Sequence, residues 1–156
     1  MSVSGGKIIC EQAYAQGKML NSASWGGLLA RGITPSDIDF VVESNGVCLL
    51  AEFSRDSTDL EGLSIGQSIM YRRLAARPGQ DVVCVCRHAV PWDQQIDTRH
   101  DVEEATAYFA AGQKAVRLTN ARWQELVCTF TANPAAANAM LLKWHEDDEF
   151  LKSVGL

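Results

Sequence analysis

The chain has 156 residues, 47% of them hydrophobic and 21% charged, and a formal net charge of −5. This fits one globular domain with an ordinary core, and no apolar run reaches the roughly 18–20 residues a membrane-spanning helix needs. The start, Met1 to Lys7, lacks the apolar stretch of a signal peptide, so a cytoplasmic protein is expected, and the acidic balance argues against gripping nucleic acid along the whole surface.

In chain order, Glu11 to Arg31 reads as a helix that ends at Gly26-Gly27 or Gly32. A hairpin follows: Ile38 to Ser44, then Asn45-Gly46, then Val47 to Ser54. Asn-Gly between two β-rich runs favours a two-residue type I′ turn, which needs positive φ at both central positions. The turn fixes the register, so Val42 meets Leu49, Phe40 meets Ala51, Asp39 meets Glu52 and Asp37 meets Ser54. The polar segment Asp56 to Gly62 reads as a mobile loop beside the hairpin end.

From Leu63 to Arg77 the spacing predicts a helix whose apolar stripe, Leu63, Met70 and Leu74, also takes in Gln67; Pro78-Gly79 ends it. Asp81 to Val90 reads as a buried strand, and a helix between hairpin and strand implies a mixed sheet with a crossover. A polar connection leads to a predicted helix near Asp101 to Ala111 and a short strand, Ala115 to Leu118. Thr119 or Asn120 caps the next helix, with Trp123, Leu126, Val127 and Phe130 on its apolar side, and Pro134 opens a final helix carrying Met140, Leu141, Trp144 and Phe150. With no repeat or linker, residues 1–156 form a single α/β domain.

Two opposed carboxylates in an antiparallel pair have Cβ atoms about 4.5–5.5 Å apart and repel, which a cation, a shared proton or a basic side chain can relieve. Hard divalent cations such as Mg²⁺ take one or two carboxylates plus waters and phosphate oxygens, so Asp39 and Glu52 read as a metal site. The alternative is that both are outward residues of a half-solvated sheet, although Asp is depleted in strands and both lie in otherwise apolar runs. Arg72, Arg73 and Arg77 cluster on one predicted helix, with Arg55 and Arg31 as neighbours, either as a phosphate-binding patch or as a solvated face.

Five cysteines without framework spacing fit reduced thiols. Alternation puts Cys84, Cys86 and His88 on one strand face, a pattern better suited to core thiols than to zinc. His88, His100 and His145 are isolated in sequence, and the P-loop and zincin motifs are absent.

This order of elements resembles the PD-(D/E)XK nuclease superfamily, especially its small phage and bacterial forms. The matching segments are Pro35-Ser36-Asp37-Ile38-Asp39-Phe40, then Leu50-Ala51-Glu52-Phe53-Ser54, then Gly66-Gln67, and the resemblance spans residues 7–90. It implies a restriction-endonuclease-like core of helix, β-hairpin, helix and strand around a central mixed sheet, with residues 91–156 as a C-terminal elaboration. It also implies hydrolysis of DNA phosphodiesters with Mg²⁺ or Mn²⁺ held by Asp39, Glu52 and the carbonyl of Phe53. Gln67 would lie near the reacting water, Arg55, Arg72 and Arg73 would contact DNA, and Glu11 would be a further acidic ligand. The family's lysine, however, is Ser54 here. The substitution leaves three repairs: a Lys or Arg from a helix, a water held by Ser54, or a second metal on Asp37. It also leaves a different reading, a degenerate nuclease fold that binds DNA, a protein partner or a second copy of itself, as a phage-encoded regulator would.

Overall fold

The five strands that organise this molecule lie side by side in the order in which the chain makes them. The computed structural model describes residues 38–91 and 93–156, together with the backbone of residues 3–4 and 7–8. Val3–Ser4 (β1) and Lys7–Ile8 (β2) pair antiparallel. The main sheet runs β3 (Phe40–Ser44), β4 (Val47–Ser54), β5 (Val82–Arg87), β6 (Glu104–Phe109) and β7 (Lys114–Thr119). Among the described strands only β4 and β5 pair in parallel, and helix α1 (Ile65–Ala75) supplies the crossover that parallel neighbours require. Helices α2 (Asn120–Ala132) and α3 (Pro134–Ser153) follow the last strand. This is the expected α/β architecture, a central mixed sheet with flanking helices.

The hairpin forms in the expected register, with Ser44 opposite Val47, Val42 opposite Leu49 and Phe40 opposite Ala51. Asn45 at φ 53° and Gly46 at φ 81° make the turn, a conformation these two residue types adopt at little steric cost.

Strand alternation splits the sheet into two apolar faces. Leu49, Ala51, Cys84, Cys86, Ala105 and Leu118 pack against Trp123, Leu126, Phe130 and Leu141 of α2 and α3. Leu50, Val83 and Val85 pack on the other face against Tyr71 and Ala75 of α1 and against Leu60. The parallel pair is therefore covered on both sides, which is why β4 and β5 read as nearly continuous apolar runs. Near the end of the hairpin the rings of Phe40, Phe53 and Trp123 meet edge to face, with centroids 5.9–6.2 Å apart. Such aromatic pairs are worth about 0.5–1.5 kcal/mol each beyond area burial, and here they fasten α2 to the hairpin.

Thr119 caps α2 by accepting the Arg122 N–H at 3.3 Å, and Asn133 caps α3 by accepting the Ala136 N–H at 3.1 Å, with Pro134 at the first helical position. The predicted helix at 101–111 is instead strand β6 and the turn after it. Ala105, Ala107 and Phe109 alternate into the core, so tertiary packing overrides the helical preference of Glu and Ala. Ala110, Ala111 and Gly112 all have positive φ, 53°, 55° and 74°, which no right-handed helix contains.

Segment 56–62 is tied down rather than left as an open flap. Ser57, Thr58 and Leu60 are buried, Asp59 caps a 3₁₀ turn over Leu60–Gly62, the Leu60 N–H donates to the Tyr108 hydroxyl at 3.1 Å, and the Arg117 guanidinium donates to the Thr58 hydroxyl. Its polar side chains serve its own turns, which composition alone does not distinguish from exposure. The predicted helix from Glu11 to Arg31 lies outside the described residues. Among the described residues no helix is long and apolar enough to cross a membrane.

Candidate functional site

The carboxyl ends of the parallel strands β4 and β5 share one end of the sheet with the starts of their antiparallel neighbours, β3 and β6. In open α/β sheets this end, where strand direction or order changes, is the usual position for a ligand crevice. It gathers Asp39, Glu52, Phe53, Ser54, Arg55, Arg87, His88, Glu103 and Glu104.

Glu52 is the unusual residue of the group: a carboxylate on β4 with 7% of its surface exposed. Its Oε1 accepts from Gln67 Nε2 at 2.5 Å and its Oε2 from the Tyr71 hydroxyl at 2.7 Å. Both donors come from the inner face of α1, one turn apart, and Tyr71 is fully buried. The start of α1 sets the geometry. Ser64, the N-cap, accepts the Gln67 N–H at 3.4 Å and donates its hydroxyl to Gln67 Oε1 at 2.8 Å, which turns the amide NH₂ toward Glu52. Burying a carboxylate is costly, and these two neutral donors stabilise it without cancelling its charge.

Asp39 stands at the rim beside it. The β3–β4 ladder ends at Phe40 opposite Ala51, so Asp39 takes the next register position, opposite Glu52, but the chain has left the ladder there. In the alternation of the hairpin, Phe53 is the residue whose backbone groups face β3. Its N–H goes to Asp39 Oδ2 at 2.8 Å. A strand residue sends its N–H and C=O to the same side, so the Phe53 carbonyl is directed to the Asp39 edge as well.

Ser54, at the end of β4, accepts the N–H groups of Asp56 and Ser57 on its Oγ, at 3.3 and 3.2 Å, and thereby starts the turn into segment 56–62. Its partner on β5 is Arg87, and paired residues of parallel strands share a sheet face. The Arg87 guanidinium is bound by Glu103 at 3.2 Å and Glu104 at 3.3 Å.

His88 belongs to this end as well, although its isolation in sequence gave no reason to place it there. Its N–H donates to the Ser54 carbonyl at 3.0 Å, and its Nδ1 accepts the Val90 N–H at 3.1 Å, which puts the proton of the neutral ring on Nε2. Burial, aided by the Arg55 charge, holds the imidazole below its ordinary 6.5, while Asp39, Asp101 and Glu103 pull the other way. The usable signal was its position just beyond β5, the parallel neighbour of the Glu52 strand. Cys84 and Cys86 are fully buried and burial pushes both thiols up, as befits core residues.

The structure puts Gln67 on the Glu52 carboxylate and Asp39 on the Phe53 N–H at the next register position, and it adds Tyr71, which the sequence reading missed although it lies four residues after Gln67. It does not bring Arg72 or Arg73 there. Both are exposed on the side of α1 away from Gln67, and Arg72 is paired with Glu61 at 2.5 Å. Arg55, directly after β4, lies close enough to His88 for its charge to be felt. Glu11, Arg31 and Asp37 lie outside the described residues. Among the described residues no three His, Cys, Asp or Glu side chains converge into a metal cage. No family model matches the chain, and no curated protein or solved structure matches it either.

Proposed function

We propose that the chain is a divalent-metal-dependent hydrolase of DNA phosphodiesters, similar to PD-(D/E)XK nucleases and working in the cytoplasm, that of a bacterial host if phage-encoded. The observation that carries this reading is Glu52: a buried carboxylate held by Gln67 and Tyr71 at the carboxyl end of the parallel strands, with Asp39 next in register. Two carboxylates and a carbonyl make a hard, all-oxygen donor set. That suits Mg²⁺ or Mn²⁺, which keep several waters and need no protein cage. Asp39, Glu52 and the Phe53 carbonyl would hold the ion, which would supply an activated water and offset charge on the phosphate.

The chain's own residues have separable roles. Gln67 and Tyr71 fix the Glu52 carboxylate, and Ser64 fixes Gln67. Asp39 is aligned by the Phe53 N–H. Arg87, on the same sheet face as Ser54, would supply the positive charge that Ser54 cannot, and His88 carries an Nε2 proton at this end of the sheet.

One observation favours a second reading, a fold that binds DNA or a protein partner without cutting. The Ser54 hydroxyl is engaged in a backbone turn, and Arg87 is held by two glutamates. Incubation with single-stranded, double-stranded and branched DNA in Mg²⁺ or Mn²⁺ separates the readings. Cleavage abolished by chelator and by Glu52→Gln supports the hydrolase. No cleavage of any substrate in either metal puts the binding reading first.

A further inference from the structure

Two helices on opposite faces of the sheet carry outward ridges that match each other. On α1, Ile65 is 82% and Ile69 46% exposed, and Arg73 continues the same line one turn further on. These are consecutive i,i+4 steps on the side of the helix away from Gln67 and Tyr71, where an isolated surface helix would carry polar residues. On α3, Val154 at the C-cap is 53% and Phe150 65% exposed, and the exposed Glu146 precedes them at the same spacing, in the reverse order along the chain. Neither Arg73 nor Glu146 has an ion-pair partner among the described residues.

Laid antiparallel, the two helices share one rise, about 6 Å per four residues, so Ile65 meets Val154, Ile69 meets Phe150 and Arg73 meets Glu146 in a single register. The surrounding charges agree. The last turn of α1 carries Arg72 and Arg73, with Arg77 just past its C-cap and no acid between them, while Glu146-Asp147-Asp148-Glu149 is a run of four acids on α3; Arg72, Asp147, Asp148 and Glu149 already pair within the molecule, which leaves Arg73 and Glu146 to face each other. Within one molecule the ridges cannot meet, because α1 packs on one face of the sheet and α2 with α3 on the other.

We propose that the occupant of each ridge is a second copy of this chain, joined head to tail through the outer face of α1 of one molecule and the outer face of α3 of the next. Such a contact is heterologous, so it builds a ring or an open chain rather than a two-fold dimer. It does not depend on the hydrolase reading, since Gln67 and Tyr71 lie on the opposite side of α1.

Sedimentation equilibrium on the full chain across a concentration series, at low and high salt, tests this. The expected result is self-association that weakens with salt. Arg73→Glu should weaken it roughly tenfold or more by setting like charges together, and so should Glu146→Arg. The double variant, Arg73→Glu with Glu146→Arg, should recover it. All four residues at the apolar contacts and both charges are exposed, so unchanged circular dichroism and thermal unfolding would show that the variants still fold. A wild-type chain that stays monomeric at every concentration and salt would overturn the proposal. So would association indifferent to Arg73→Glu, or a double variant no better than the singles. Loss of DNA affinity in Arg73→Glu with association unchanged would assign the α1 ridge to nucleic acid instead and also overturn it.

Discussion

Replacing Tyr71 with Phe removes one oxygen from the interior and leaves the ring where it is. That oxygen donates to Glu52 Oε2 at 2.7 Å, and the two residues are 0% and 7% exposed. Because the ring volume is kept, no cavity cost enters, and the change isolates a hydrogen bond to a buried carboxylate. A hydrogen bond to a charged group contributes about 1.5–3 kcal/mol, against about 0.5–1.5 kcal/mol for a neutral pair. Tyr71→Phe should therefore lower stability by about 1.5–3 kcal/mol. At about 2–4 °C per kcal/mol for a chain of this size, Tm should fall by roughly 3–12 °C. Urea unfolding should show a lower midpoint with an unchanged slope. In a Glu52→Gln background the same substitution should cost only the neutral-pair amount, so a double-mutant cycle reads the charge on Glu52 directly. A loss below about 0.5 kcal/mol, or equal losses in the two backgrounds, would refute the picture of an ionised Glu52 held by α1.

Gly46→Ala should cost about 1–2 kcal/mol, because φ is 81° there and nothing lies within 4 Å of the added Cβ, so the effect is backbone conformation alone; urea unfolding measures it. Leu126→Ala, at a position with no exposed surface under the sheet, should cost about 2–5 kcal/mol in the same assay, and a smaller loss would mean that α2 packs less tightly than described. His88 binds its proton less readily in the fold than its ordinary 6.5. Its contribution is then complete above 6.5 and is lost as pH falls below 6.5 toward the lower folded value, because the unfolded chain takes up the proton first. Wild-type stability should fall more steeply over that range than that of His88→Gln, whose amide oxygen can still accept the Val90 N–H; parallel pH profiles would contradict this.

The hairpin was legible because a two-residue turn with obligatory positive φ fixes every pairing after it, from Ser44 to Phe40. The cap at Thr119, the opening of α3 at Pro134 and the inward side of α2 were legible for a similar reason, since each follows from residue type and spacing within one turn. Strand β6 was not, because Glu104, Ala105 and Ala107 individually favour a helix and become strand residues only through their neighbours on β5 and β7. At the candidate site the sequence put Glu52 on the second hairpin strand and Gln67 on the inward side of the helix, while Asp39 lies just before the first strand rather than paired within it. The Asp39 bond to the Phe53 N–H, the approach of His88 and the pairing of Arg87 with Ser54 arise from contacts between distant segments. Tyr71 lay within reach of the same helical spacing that pointed Gln67 inward.

The most direct test of the central claim is a Mn²⁺ titration followed by electron paramagnetic resonance, without DNA, on the wild type and on Asp39→Asn. The Asn side chain can still accept the Phe53 N–H, so the rim keeps its shape while losing one charge. A saturable site in the wild type that is strongly weakened in a folded Asp39→Asn is the predicted result. Equal binding by the two proteins, or none by either up to millimolar Mn²⁺, would contradict a metal site built on Asp39 and Glu52.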